Sequence, residues 1–536
     1  MLRLLRPSHQ HSAFSATLLL MTMIMLSRII GYVREAYIAW AFGAGPQTDA
    51  YVAAFTLPDW LNYIVAGGTA SITFISIFTR YVSQNREAEA RKAFSVIITV
   101  MTAVLSAGIL VVEIFTPAVE RLIFPNFRPE QLQLCVYLTR ILLPAQIFFY
   151  VGGVISAVLL SKRLFLIPAL GPLLYNIFII LGGVVLASRM GIASLAVGAV
   201  AGGFLGPFLI NAIGAARTGV GYRPSFDVRH PAFREWVKLS IPLMLGVSLV
   251  TADDWILRYF ASGGAGDITR LNYAKRLFGV PISVLGQATG QASLPFFARL
   301  FGEKRLREFA ATVNDSVYRV AAVSFLAAAW MIPAALPLVD LVYRRGRFRF
   351  SDSQETAVFF LIFSISLAFW AAQGLYARAF YAAGDTVTPM VACTAVTVAS
   401  LPIYSWLFHR YSVVGLAIAS DMGIIANTVV PLLLLHTKGL VSAREMQWRE
   451  LAKAVGTSIF AAVASYAVAR SVVVDGSRRA DFLVLGLVSV TWAAAVALGL
   501  WITRSELPAA LRRRKPPQMR IEPVETDTDT RELQKP

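Results

Sequence analysis

The stretch Ser27-Arg28-Ile29-Ile30-Gly31-Tyr32-Val33-Arg34-Glu35 lies inside an apolar run long enough to cross a membrane. A charge at hydrocarbon depth costs roughly 2.5–3.5 kcal/mol on insertion scales, so two arginines and a glutamate there imply a function. Arg28 and Arg34 are six residues apart, about 9 Å of helix rise, and Glu35 can neutralise part of their charge. Two cations near the middle of a bilayer describe a cavity that receives an anion. The competing reading is that both arginines snorkel to an interface, or simply pair with Glu35. Further charge falls in a few other apolar segments: Asp49 and Asp59 early, then Asp253, Asp254, Arg258, Lys275 and Arg276. All should face a hydrated interior, because lipid contact is too costly. Arginine suits a pyrophosphate, since its planar fork donates two parallel hydrogen bonds and keeps its charge. Asp253 and Asp254 are candidates for a cation or proton site coupled to transport. The structural alternative is a salt bridge from Asp254 to Arg258, one turn on.

No enzyme signature accompanies these charges: there is no Walker loop, GxSxG or HExxH. Cys135 and Cys393 stand singly, and the five histidines are scattered at segment ends, so no metal, redox centre or cofactor is expected. The net charge of +18 comes with no compact basic domain or nucleic-acid motif, which excludes nucleic acid as a partner. Hydrophobic residues make up 57% of the 536 and charged residues 15%, with a mean hydropathy of +0.62. A soluble domain has about 45–50% apolar and 25% charged residues, so this is an all-α polytopic membrane protein.

The elements that must position the charges can be counted. Apolar cores start near Phe14, Ala50, Phe94, Leu134, Leu164, Ile192, Val237, Asn272, Val317, Val358, Pro389, Val414, Ala452 and Phe482, giving about fourteen transmembrane helices. The first apolar run outlasts a signal peptide and lacks a small-residue cleavage site, so no cleavable signal is expected. Gly43, Pro58, Gly68 and Ser71 recur as Gly266, Pro281, Gly290 and Ser293, at offsets of 222 or 223 residues. Such a duplication implies two lobes of six helices around a central cavity, alternating access by rocking. The chain then divides into an N-terminal lobe (1–230), a C-terminal lobe (231–440), a C-terminal helix pair (441–505) and a disordered cytoplasmic tail (506–536). With the N-terminus inside, alternate loops are basic, as at Arg80–Lys92 and Arg299–Arg307, and both termini fall in the cytoplasm. The loop with Arg344, Arg345, Arg347 and Arg349 breaks the rule, either as a functional rim or because its charge came too late to matter. The Arg512–Lys515 run is read as an anchor on anionic lipid headgroups.

Taken in order, these residues resemble the MurJ/MviN family of lipid II flippases, within the superfamily of multidrug antiporters and polysaccharide exporters. The resemblance is carried by Ser27 to Glu35, Phe42-Gly43-Ala44-Gly45 with Thr48-Asp49-Ala50, and Ala54-Phe55-Thr56-Leu57-Pro58. It continues through Phe165-Leu166-Ile167-Pro168-Ala169 with Pro172 and Asn176, and Leu271-Asn272-Tyr273-Ala274-Lys275-Arg276-Leu277 with Pro281. Arg378-Ala379-Phe380-Tyr381-Ala382, Asp385-Thr386-Val387-Thr388-Pro389 and Val414 to Ala419 complete it. It implies twelve helices in two lobes and two more forming a groove for a polyprenyl tail, in the bacterial cytoplasmic membrane. Arg28, Arg34, Asp49 and Arg276 match the family's positions for the pyrophosphate and headgroup. The partners implied are a polyprenyl-pyrophosphate glycolipid and membrane lipids, with a coupling cation or the membrane potential as energy source. Departures stand at Asp59, Asn62, Gly67 and Gly279, where the family usually has Asn, Arg and two acids. They leave open a flippase for another polyprenyl-linked oligosaccharide. A cation-coupled exporter of small amphiphiles shares the two-lobe fold, and a non-transporting envelope scaffold is the third reading.

Overall fold

The computed structural model describes residues 13–63, 74, 77–78, 80–82, 84–162, 164–218, 221–245, 249–472 and 477–512. Among them every regular element is a helix. They run α1 (Ala13–Phe42), α2 (Pro46–Ala53), α3 (Thr56–Leu61), α4 (Glu87–Ile123), α5 (Pro129–Leu142), α6 (Ala145–Ser161), α7 (Leu166–Met190), α8 (Ala193–Gly203) and α9 (Asn211–Ala216). The second half holds α10 (Pro231–Leu245), α11 (Leu249–Phe260), α12 (Asp267–Pro281), α13 (Thr289–Gly302), α14 (Leu306–Tyr343), α15 (Phe350–Ile365), α16 (Leu367–Ala382) and α17 (Val387–Thr437). α18 (Trp448–Ser471), α19 (Arg478–Ile502) and the short α20 (Leu507–Arg512) end the described chain.

Among the described residues eight stretches are helical, long and apolar enough to cross a membrane, and α15 with α16, bent by 48°, makes a ninth. α17 counts once in that set, yet its backbone leaves helical geometry at Ser412 (φ 52°, ψ −140°). Tyr404 and Ser420, equidistant from that break, bond the same carboxylate, so the two halves fold back side by side. Each expected core starts inside a helix or within two residues of one. The segment expected from Ala50 passes through 64–73, outside the described residues, as do Gly67, Gly68 and Ser71.

The duplication shows in the backbone. Gly43 (φ 73°) and Gly266 (φ 86°) both turn in the left-handed region that glycine enters without strain. Gly43 precedes α2 and then α3, which carries Pro58, and Gly266 precedes α12, which carries Pro281; wider π-helical turns follow at Asn62–Tyr63 and Ile282–Ala288. Proline lacks the N–H donor that would hold a regular turn, and the helix loosens there. Elsewhere small residues bring helices into backbone contact: a Cβ on Gly182 of α7 would meet Ser194 O of α8 at 2.6 Å.

α18 and α19 pack on α14, where Trp330 Nε1 donates to Ser489 Oγ (2.9 Å) and Trp492 Nε1 to Leu326 O (2.8 Å). Beyond the expected boundary at 505 stands α20, whose Leu507 is buried against Tyr318 and Leu326. The tail from 513, including most of the basic run, lies outside the described residues. The loop that breaks the charge rule has local counter-charges. Arg344 lies 3.0 Å from Asp340 and 3.9 Å from Asp481, two buried acids at the ends of α14 and α19.

Candidate functional site

α1 runs from the end of the bundle nearest the N-terminus toward a far end, where three turns meet. Arg347 N donates to Trp40 O (3.0 Å), a Cβ on Gly346 would meet Trp40 O at 2.3 Å, and one on Gly266 would meet Ala44 O at 3.0 Å. Asp49 seals this junction. Its fully buried carboxylate accepts from Gly266 N (2.5 Å), Thr269 N (2.9 Å) and Thr269 Oγ1 (2.6 Å). Gly266 is the N-cap of α12 and cannot supply a side-chain acceptor of its own. Asp49 therefore caps α12 from the other lobe, at the end of the helix dipole that favours an anion. Deeper, Arg258 Nη1 donates to Thr56 Oγ1 (3.1 Å) and Asp59 Oδ2 (3.3 Å), again across the lobes.

Below this seal lies a cavity of about 700 Å³ between α1 and α12, with α16, Asn176 of α7 and Asp254 of α11 in its wall. Five cationic side chains, Arg28, Arg34, Lys275, Arg276 and Arg378, face it against two carboxylates, Glu35 and Asp254. A smaller cavity of about 230 Å³ adjoins it around Arg34, Glu35, Asp59, Arg258 and Arg276.

The structure brings Arg34 and Arg276 together from opposite lobes. Arg34 pairs with the buried Glu35 and donates to Asn176 Oδ1 (2.8 Å), while Arg276 Nε lies 3.8 Å from the same glutamate. Asn176 is held by donating to Pro172 O (3.0 Å) and Ser27 O (3.3 Å). Tyr32 Oη donates to Arg276 O (3.0 Å). Arg34 keeps 15% of its side chain exposed and Arg276 52%, so Arg276 is the freer of the two to grip a ligand. Arg28 opens into the same cavity and donates to Gln287 Oε1 (3.2 Å).

The structure places Asp49 away from the cavity wall, with its carboxylate held by three donors of the other lobe as a latch. Asp253 and Asp254 already hold a cation, the ammonium of Lys275, which bonds both, with Asp254 Oδ1 at 2.5 Å. Asp253 is fully buried and also accepts from Tyr404 Oη and from Ser420 Oγ (2.8 Å). The alternative pairing of Asp254 with Arg258 is not made, because Arg258 is turned toward Asp59 and Thr56. Gln287 and Arg378 join the expected residues in the cavity wall. Arg378 was open to detection by the rule applied to Arg28, an arginine in an apolar segment; nothing in the sequence marks Gln287.

The latch carries a prediction. Charge-assisted bonds are worth about 1.5–3 kcal/mol each, so Asp49→Ala should open the far end. With Cys135 and Cys393 replaced by Ala, a cysteine at position 44 (Ala44→Cys) should react with a membrane-impermeant thiol reagent more than tenfold faster when Asp49 is Ala. Asp49→Asn, which keeps one acceptor oxygen, should fall between. Equal labelling in all three would refute the latch.

Known proteins share the sequence pattern and the fold. The family model described as "MurJ: Lipid II flippase MurJ" matches residues 38–477. The chain is 27% identical over 467 residues to the lipid II flippase MurJ of Burkholderia cenocepacia, covering 83% of this chain and 88% of that one. It is 25% identical to a probable lipid II flippase MurJ of Rickettsia prowazekii, covering 70% and 75%. Among solved structures it is similar to a lipid II flippase MurJ in an inward closed conformation, with a TM-score of 0.75 and 20% identity over 90% of this chain and 99% of that one. An inward-facing multidrug resistance transporter of the MATE family shares the fold more distantly, at a TM-score of 0.62 and 14% identity over 78% and 98%. A multi-pass membrane protein whose two lobes enclose a cavity of excess arginine, and which the family model matches from α1 to the start of α19, belongs to the MurJ family of lipid II flippases.

Proposed function

We propose that this chain moves lipid II, a polyprenyl-pyrophosphate glycolipid, from the cytoplasmic to the outer leaflet of the bacterial cytoplasmic membrane by alternating access. The observation that carries this reading is the meeting of Arg34 and Arg276, one from each lobe, on a single carboxylate inside a cavity with surplus positive charge. An incoming pyrophosphate replaces Glu35 as the shared anion, and so reports its presence to both lobes at once. The lobes (1–230 and 231–440) rock around it, both termini stay cytoplasmic, and the far end with Asp49 is the outer gate. The pair 441–505 keeps the polyprenyl tail in lipid. The cation expected at Asp253 and Asp254 is, in this reading, Lys275 itself, which leaves the membrane potential as energy source.

The test is expression in a bacterium depleted of its own lipid II flippase. Restored export of the precursor supports the proposal; absence of export with the chain present in the membrane overturns it. A second reading keeps the pyrophosphate and changes the glycan. Gly279 stands in the cavity wall where the family resemblance implies an acid, so the headgroup contacts differ there. Rescue of a strain lacking another polyprenyl-linked glycan exporter, without rescue of lipid II export, would favour it.

A further inference from the structure

Glu120 stands three residues before the end of α4 and is fully buried, as are Cys135 and Thr139 of α5 beside it. The turn after α4 reaches the sealed junction, since a Cβ on Gly263 would meet Asn126 Cβ at 3.7 Å. No ion pair reaches Glu120 among the described residues. Around it, Arg140 of α5 donates to the Glu113 carbonyl (3.1 Å), Asp49 of α2 is taken by α12, and Asp59 of α3 by Arg258 of α11. Arg121, next on α4, is exposed. A buried carboxyl group with a hydroxyl and a thiol beside it, and no cation, is far cheaper to keep neutral than charged.

The Thr139 hydroxyl has one hydrogen and two acceptors in reach, Glu120 Oε1 (2.7 Å) and Ala54 O (3.3 Å). Ala54 O is short of a donor for a covalent reason. The residue four further on is Pro58, which has no N–H to close the helical turn. α2 and α3 part at this point, between Asp49, which seals the junction, and Thr56 with Asp59, which hold Arg258. When Glu120 is neutral, its Oε1–H donates to Thr139 Oγ1, and Thr139 in turn donates to Ala54 O. When the proton leaves for water, Thr139 turns its hydrogen to the carboxylate, and Ala54 O loses its donor. Cys135 Sγ serves Glu120 Oε2 (3.7 Å) in both states.

We propose that Glu120 is a proton-binding site of the outer gate: it carries a proton while the gate is sealed and releases it to the outer compartment when the gate opens, with Thr139 passing the change to the break before Pro58. This rests on the reading of the far end as the outer gate, and not on the identity of the cargo. The sign is fixed by the bonds. Those that need a neutral Glu120 are present at low pH and lost as pH rises, so alkali outside favours opening. Acid acting on Asp49 would weaken the latch and so open the gate in the opposite direction of pH.

The experiment follows a cysteine at position 44 (Ala44→Cys) in the full chain, reacting with a membrane-impermeant thiol reagent in right-side-out vesicles. Labelling is read at that cysteine by mass spectrometry, so Cys135 stays in place. Glu120→Gln fixes the neutral pattern, because its amide donates to Thr139, and it is the reference at each pH, cancelling the titration of the reporter thiol. At about pH 6 the chain with Glu120 should label within about twofold of the Gln variant, and at about pH 9 at least fivefold faster. Thr139→Val should label fast at both, since Ala54 O has no donor in either state, and Thr139→Ser should restore the pH dependence. If Glu120→Gln does not reach the membrane, the Asp49→Ala gate is the reference, and the chain with Glu120 should approach its rate only in alkali. The infrared C=O band of a neutral carboxylic acid should also lose intensity in Glu120→Gln. A rate ratio that does not change with pH, or a band that Glu120→Gln leaves untouched, overturns the proton site and leaves the placing of the outer gate intact. A ratio that rises toward acid assigns the titration to Asp49 and overturns the site as well. Labelling only in inside-out vesicles overturns the placing of the gate and the proposal with it.

Discussion

Arg34→Ala and Arg276→Ala should each abolish rescue of a flippase-depleted strain, Arg276→Ala with the protein still abundant in the membrane and Arg34→Ala with its abundance reduced. If both grip one pyrophosphate, each charge-assisted contact contributes about 1.5–3 kcal/mol, or roughly 10–150-fold in affinity. The geometry separates two ways of failing. Arg276 is half-exposed, so its loss removes a ligand contact and leaves the fold intact. Arg34 also neutralises the buried Glu35, and its loss alone strands that charge. Arg34→Ala combined with Glu35→Gln removes the stranded charge; membrane abundance should return and export should not. Arg→Lys should rescue poorly at either position, because an ammonium cannot reproduce the bidentate fork. Arg478→Ala, at the exposed start of α19, is the silent control. Full rescue by both alanine variants, or lysine serving as well as arginine at both sites, would remove the pyrophosphate clamp from the mechanism.

The helices and the cavity arginines were legible in the sequence for separate reasons. Apolar segment length sets a span directly, and an arginine within such a segment must face water or a partner, so Arg28, Arg34 and Arg276 declare themselves without a structure. Partner choice is a different matter. Arg258 sits one turn from Asp254, and local spacing favours that pair, yet the arginine reaches Asp59 and Thr56 of the other lobe. Asp49 shows the same limit. Its cost of burial was readable, but the backbone donors that compensate it belong to Gly266 and Thr269, 217 and 220 residues away. The repeat gave a hint, since Gly43 and Gly266 are corresponding turns, and corresponding turns of two lobes related by symmetry tend to meet at the same end of the bundle.

Lys275→Met should be among the most destabilising substitutions in the second lobe. Asp253 is wholly buried, and the Lys275 ammonium is the one cation that bonds it among the described residues; Tyr404 and Ser420 add neutral donors. Removing one partner of a buried ion pair leaves an uncompensated charge at a cost of about 3–5 kcal/mol. The four groups come from α11, α12 and both halves of α17, so the loss loosens the helices that carry Arg276. Membrane abundance and the melting temperature in detergent should fall sharply. Lys275→Met with Asp253→Asn should recover both, because the amide oxygen accepts from one hydroxyl, the amide NH2 can donate to the other, and no buried charge is stranded. The tethered ammonium also explains a functional outcome: export by the unmodified chain in proteoliposomes should not change when sodium is replaced by choline. In Lys275→Met, with both carboxylates left in place, an alkali cation can take the vacated position, and abundance and export should rise with its concentration. Sodium-dependent export by the unmodified chain, or a Lys275→Met protein as stable as its parent, would show that Lys275 is not the resident cation of this lobe.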